Sequence, residues 1–532
     1  MKPITVFKGA CLGLAIGAMA LPAQAQTPDN MLVIATRIDD VTSLDPAQSF
    51  EFAGSDILRN VYGHLVNFDP ADLKAGFKPD IAESWTVSDD GRTITFKIRE
   101  GMTFHSGNPV RAEDAAFSLQ RAVKLNKTPA FILTQFGFTA DNVDEMVTFD
   151  GSAGTVSITT DKAYATSFVL NCLTATVAAI VDKETVLANE VDGDLGNGWM
   201  NTNTAGSYAY RDVVWNPNES VTMTAFDDFY LDAPKMQRVI VRHVQESATQ
   251  RLLLARGDID IARNLNPEDV TGLEDDSNVK ILEELRGRIM YLALQQAHPE
   301  LSKPEVRQAF KYLVDYAGMQ GSFLKGQWQI HQNFLPETYL GASTEEPFTY
   351  NLEEAKKLLE QAGVSDLVIE VGVREAQERI EIAQSVQNAA AQVGITINIT
   401  VGTAKQILTR YRARDLDVYL GAWGPDYPDP QTNAGTFAFN PDNSKEANAT
   451  GLLAWRNSWD TGGLTPMVEA AVREQDTEKR VAMYEEIQAK FRETSPFVIM
   501  FQNSEQNGVR SNVDGFSMGG PITQAAYWQV TK

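Results

Sequence analysis

The sequence predicts an α/β protein built as at least two lobes. Short strands, alternating or wholly apolar, interleave with amphipathic helices from end to end. No internal repeat, low-complexity tract or Pro/Ser linker interrupts them. Roughly 500 residues remain beyond an N-terminal leader, and single cores usually stop growing at about 250–300 residues. The lobes must therefore be joined by ordinary crossing segments.

The leader comes first. Met1–Lys8 carries two lysines and no acid, Gly9–Leu21 is apolar, and Ala23 and Ala25 stand where a signal peptidase reads. Residues 1–25 are expected to be a secretory signal cleaved after Ala25. The apolar run is shorter than the roughly 20 residues a membrane span needs, so the mature chain is expected to be exported and soluble. Next, Met31–Thr36 reads as a buried strand. Thr93–Arg99 alternates with period two behind the turn Ser88–Gly91, which makes a hairpin. Ala112–Lys124 is a helix with Glu113 and Asp114 in its first turn. Val221–Ala225 and Val239–Val244 are strands, and Glu246–Ala255 is a helix stopping near Gly257. Helices Glu305–Tyr316, Leu352–Ala362 and Ile380–Gln392 alternate with strands Val368–Val373, Ile395–Val401 and Val418–Trp423. Gly363 and Gly394 are C-cap positions. Val468–Glu493 reads as one long helix with an acidic interruption.

Composition excludes several functions. Removing Lys2 and Lys8 with the leader takes the formal net charge from −24 to −26. That argues against nucleic acid and against anionic lipid as partners. Cys11 leaves with the leader, and Cys172, in an apolar setting, reads as a buried, inert thiol. G-x-S-x-G, H-E-x-x-H and P-loop motifs are absent, and the five histidines are spaced as no metal set would be. The chain is read as not an enzyme, without cofactor or metal. A carboxylate dyad of the hydrolase type stays open among seventy acidic residues.

Six segments in order carry a resemblance: Ser43-Leu44-Asp45-Pro46; Pro79–Trp85 with Asp90–Phe96; Phe104–Asp114; Leu254–Asp260; Val306–Ala309; and Glu354–Gly363. Together they resemble the extracellular solute-binding proteins, family 5, which serve oligopeptide, dipeptide and nickel ABC importers. The resemblance covers nearly the whole mature chain and implies a two-lobed periplasmic-binding-protein (Venus-flytrap) fold with an enlarged, discontinuous first lobe. Residues 26–284 plus 496–532 would form the first lobe and 285–495 the second, with Leu285–Leu294 and Pro496–Gln502 as crossings. It further implies a monomer in the periplasm of a Gram-negative bacterium, delivering a peptide or small-molecule ligand to an inner-membrane ABC permease. Opine, oligosaccharide or chelate ligands, and less readily a secreted hydrolase, are the rival readings. Most of the matched residues are scaffold: Trp85, Phe96 and Phe104 as core aromatics, Asp114 and Glu354 as helix-end or surface carboxylates.

The loop Gly421–Pro430 is different. The family's W-x-x-D-Y segment matches Trp423, Asp426 and Tyr427, and there the aspartate pairs with a ligand's ammonium group. Asp426 is thus the expected anchor, with Trp423, Gly424 and Tyr427 around it, and Asp429 is expected to be a solvent-facing turn residue. Phe50 and Phe52 match a ligand-facing loop of the first lobe, as pocket wall or as core. Leu420 stands where some members have arginine, and Ser207 departs from the family's G-T-G-P-Y turn. Arg412 and Arg414 read as solvated helix-end charges.

Overall fold

The computed structural model describes residues 26–69, 72–263, 265–520 and 525–532; the expected signal peptide lies outside them. An 11-stranded mixed sheet runs through the molecule in the order Ile395–Gly402, Leu367–Arg374, Val418–Trp423, Val279–Leu294, Phe497–Arg510, Ile261–Ala262, Met31–Thr36, Arg238–His243, Ser220–Ala225 and Tyr210–Asn216. The short strand Trp328–Ile330 pairs with Phe497–Arg510 off that path. A separate four-stranded antiparallel sheet, containing the hairpin Ala82–Val87/Thr93–Ile98, enlarges the first lobe. Thr93–Ile98 buries every second residue, which puts Ile94, Phe96 and Ile98 into a core closed by the helix Ala112–Leu125.

Two strands, those expected to contain the crossings, lie side by side in the middle of the large sheet. Val279–Leu294 and Phe497–Arg510 pair antiparallel over nearly their whole length. Alternation in the first divides its apolar residues between two cores: Met290, Leu292 and Leu294 on one face, Ile289, Tyr291 and Ala293 on the other. The register shifts between Met290 and Tyr291 and breaks more widely in the middle. Leu285 lies opposite Ser504 but Ile289 lies opposite Gln502, so Arg286, Gly287 and Arg288 together span Asn503 alone. A bulge of this kind bends a strand and re-aims its side chains. Position 285, where a lobe boundary was expected, falls inside this strand, and 496 immediately precedes its partner.

Two helices differ from expectation. The helix begun at Pro304 stops at Tyr312, because Asp315 caps a new one, Tyr316–Gly321, by accepting from the Gly318 amide. The long pattern ending at Glu493 divides into Leu464–Ala471 and Thr477–Thr494, since Asp476 accepts from the Glu478 and Lys479 amides and starts a fresh helix. Gly363 and Gly394 adopt positive φ of 64° and 86°, the left-handed geometry that closes a helix. Phe96 and Phe104 are core residues and Trp85 is partly buried against the same cluster. Cys172 is a buried free thiol.

Candidate ligand cleft

A cleft of about 1080 Å³ opens between the lobes. Asp40 and Phe52 line it from the first lobe, Trp328, Arg374 and Pro425 from the second, and Arg288 from the crossing. Beside it lies an apolar hollow of about 240 Å³, walled by Phe50, Phe52, Pro129, Ile132 and Val177, with Asp426 at its edge. Gly424, Pro425 and Phe52 belong to both walls. A Cβ on Gly424 would lie 3.3 Å from the Phe52 ring, so the absence of a side chain lets the two lobes approach here.

The cleft floor neutralises its own charges. Asp56 is ion-paired with Arg263, whose guanidinium also reaches Glu505 at 3.1 Å. Glu505 lies 3.5 Å from Arg286 as well. Burial works against the Glu505 charge, yet Arg263 and Arg286 outweigh it and hold its carboxyl below the usual range. Arg286, 3% exposed, donates to the Met518 carbonyl at 2.8 Å.

Two other places leave charge open. Asp426 pairs with no cationic side chain of the described residues. Its backbone N–H donates to Thr432 Oγ1 at 3.1 Å, which fixes the loop while the carboxyl edges the hollow. Part of the side chain meets solvent, but the surrounding protein crowds it enough that burial raises its pKa to about 7. The cleft wall carries Arg288 and Arg374, and Arg379, though not itself on that wall, lies close enough to act on the Arg288 charge. The Nε of each is buried without a hydrogen-bond partner, although Arg379 Nε lies 3.8 Å from Glu378. Burial, then the like charge of Arg379, pulls the Arg288 pKa down against Glu378 and Glu505. Arg288 lies over the Trp328 ring, 5.2 Å from its centre. A cluster of partly desolvated guanidinium groups is suited to an anion.

The other sequence-derived candidates are placed as follows. Phe52 is half exposed on both cavity walls, and Phe50, exposed, sets its ring edge-on to Phe131 at 5.8 Å. Trp423 is partly buried against Phe437, its indole N–H buried without a partner, and is not on either cavity wall. Tyr427 packs on Phe168 in the first lobe's core and lines neither cavity. Arg414 stacks on Trp455 at 3.8 Å, Arg412 is exposed, and Leu420 is core. Asp429 corrects the expectation of a solvent-facing turn: it is fully buried and joined to Arg480 by hydrogen bonds of 2.7 and 2.9 Å. The turn folds inward because Asp429 caps the helix Pro430–Phe437. Asn171 and Ser167 of the first lobe complete the cluster, donating to Asp429 and accepting from Arg480 at 3.1 Å each.

The model of the bacterial extracellular solute-binding proteins, family 5 Middle, matches residues 76–445. The chain belongs to that family. Among curated relatives, a probable D,D-dipeptide-binding periplasmic protein of Escherichia coli K12 is 26% identical over 521 residues, covering 97% of each chain. Di/tripeptide-binding protein 2 of Pseudomonas aeruginosa is 27% identical over 543 residues, again with 97% of each covered. Among solved structures, a Helicobacter pylori periplasmic binding protein in complex with the peptide STSA superposes with a TM-score of 0.77 at 22% identity, covering 94% of this chain and 98% of that one. A Campylobacter jejuni protein in complex with Ni(L-His) gives 0.75 at 21%, covering 95% and 100%. The two-lobed fold is thus common to this family-5 chain and to proteins holding different ligands.

Sequence reasoning missed Arg288, Arg374 and Arg379. Arg288 enters the cleft through a register break that depends on the partner strand, and the other two flank a strand end and helix start that read as scaffold. The tripeptide Arg286-Gly287-Arg288, which sets glycine between two charges just before the apolar run Ile289–Leu294, was the available signal.

Proposed function

We propose that this protein is the periplasmic subunit of an ABC importer and captures a short peptide, or a peptide-like solute with a free ammonium group, between its lobes. The observation that carries this reading is Asp426, a crowded carboxyl with no protein cation beside it. An ammonium ion there gains a charge-assisted hydrogen bond and restores the charged form of the acid. The guanidinium cluster of Arg288, Arg374 and Arg379 supplies the opposite end for a carboxylate. Trp423, Gly424, Phe50 and Phe52 shape the surroundings, and Tyr427 holds the loop from the core side. The curated relatives named for di- and tripeptides support the ligand class. Among the described residues no helix is long and apolar enough to cross a membrane.

Function on this reading is binding, not chemistry: ligand stabilises the closed arrangement by its differential affinity, and the closed form docks on a membrane permease. The test is calorimetry with a panel of di- and tripeptides and their N-acetylated counterparts, guided by native mass spectrometry of protein purified without added ligand. Free peptides should bind and acetylated ones should not. Equal affinity for both would remove the ammonium from the reading.

A further inference from the structure

We infer that the second lobe carries a divalent-metal site formed by His331, Glu337 and Glu346, apart from the ligand cleft. One ligand atom from each lies within 4.8 Å of the other two. His331 is 0% exposed, and its two ring nitrogens are differently placed. Nε2 lies 2.7 Å from the Leu335 carbonyl. A carbonyl can only accept, so Nε2 carries the hydrogen and Nδ1 keeps its lone pair. Nδ1 is buried without a hydrogen-bond partner and points at Glu337, 3.9 Å from Oε1. An imidazole whose far nitrogen donates to a backbone carbonyl is the usual arrangement of a metal-bound histidine.

The loop holds this geometry independently of any ion. Gln332 exchanges two hydrogen bonds with Phe348, at 2.7 and 2.8 Å. Asn333 donates to the Ser343 and Glu345 carbonyls at 2.9 and 3.0 Å, and Arg492 binds both Asn333 and Glu345. The two stretches are thereby zipped together, which brings Glu346 beside His331 although 15 positions separate them in the sequence. On the other side, the Glu337 amide is tied to Gln502 of the crossing strand at 3.0 Å. Histidine spacing alone cannot show such a site, because its other donors are carboxylates from a folded loop.

One imidazole nitrogen and two carboxylate oxygens suit Zn²⁺, with water as fourth ligand. Metal–ligand bonds of about 2.0–2.2 Å put tetrahedral ligands about 3.4 Å apart. Side-chain rotation of Glu337, 35% exposed, and of exposed Glu346 suffices to reach that from the present separations.

The test uses untagged mature protein, treated with chelator and dialysed, with Zn²⁺ followed by calorimetry and Co²⁺ by its visible spectrum. One equivalent of Zn²⁺ should bind and raise the melting temperature. Glu346→Gln and Glu337→Gln should each weaken binding about tenfold or more while the metal-free proteins melt like the parent, and Glu354→Gln, outside the cluster, should leave metal binding unchanged. The Co²⁺ adduct should show the intense visible bands of four-coordination, lost in both variants. No saturable uptake, or uptake unchanged in both glutamate variants, would overturn the site.

Discussion

The cleft's floor and its walls treat charge in opposite ways. On the floor, Asp56, Arg263, Glu505 and Arg286 neutralise one another at distances down to hydrogen-bond contact. Around it, Asp426 at the edge of the side hollow pairs with no cationic side chain of the described residues, and Arg288 and Arg374 on the cleft wall gather with nearby Arg379 although alike. A completed buried pair is architecture, because neither partner can leave without stranding the other. An incomplete one costs stability in the empty protein and is relieved by a ligand. Asp429 and Asp426, three residues apart, show the same division within one loop.

Breaking the completed kind should have the largest effect. Asp429→Asn removes one partner of a fully buried pair with Arg480 and weakens its contact with Asn171. It should lower stability by about 3–5 kcal/mol in a denaturant titration. A change under about 1 kcal/mol would mean the pair adds little.

Asp426→Asn should act on the ligand instead. Truncating one partner of a desolvated pair costs about 2–5 kcal/mol, roughly 30-fold or more in affinity for an ammonium-bearing ligand. The empty protein should gain stability at the same time. The Asp426 pKa lies near 7 in the fold against 3.8 unfolded, so the folded state binds the extra proton. Stability is therefore favoured below about pH 4 and falls as pH rises toward 7, by at most about 4 kcal/mol and less for the solvent-facing part of the group. The asparagine variant should lose that slope between pH 4 and 7, as melting temperatures across the range would show.

The same acid sets a pH dependence of capture. An ammonium ligand needs Asp426 ionised, so affinity should drop as pH falls below about 7, approaching tenfold per unit, with protons released on binding near and below pH 7. Calorimetry in buffers of differing ionisation enthalpy reads this directly; no proton release at pH 6 would contradict it. Arg288→Gln should reduce affinity for ligands with a carboxylate by about tenfold and leave their amides unaffected. At the small end, Lys357→Ala breaks an exposed pair with Glu354 and should change stability by less than about 0.5 kcal/mol. A larger change would show that exposure alone does not separate architecture from decoration in this chain.

Most strands and helix ends were legible because local chemistry fixes them: period-two alternation over Thr93–Ile98, left-handed glycines at 363 and 394, acids in the first turn at Glu113 and Asp114. The helix breaks at Asp315 and Asp476 were read through, since an acid inside an amphipathic pattern looks like a surface position until its capping bonds are seen. At the site, matched spacing singled out Asp426, but spacing says nothing about partners. It could not show that Asp429 meets Arg480 from a helix some fifty positions later, or that Tyr427 turns into the first lobe. Within the arginine cluster, the place of Arg288 depends on a register break between distant strands, which leaves no local periodicity to detect.

The break between Leu285 and Ile289 lies where the proposed closure of the lobes would turn the crossing strand. Arg286, Gly287 and Arg288 form the stretch where two hydrogen-bonded ladders separate, one tying the crossing to each lobe. Rotation of one lobe against the other concentrates torsion in such a stretch, where ladder bonds are missing and glycine offers the least resistance. On the proposed reading, a ligand that grips Arg288 would pull on the axle itself rather than on a lever at the rim. Occupancy should damp the joint's excursions, and slower amide exchange at Gly287 and Asn503 would report a filled cleft without reference to the contents.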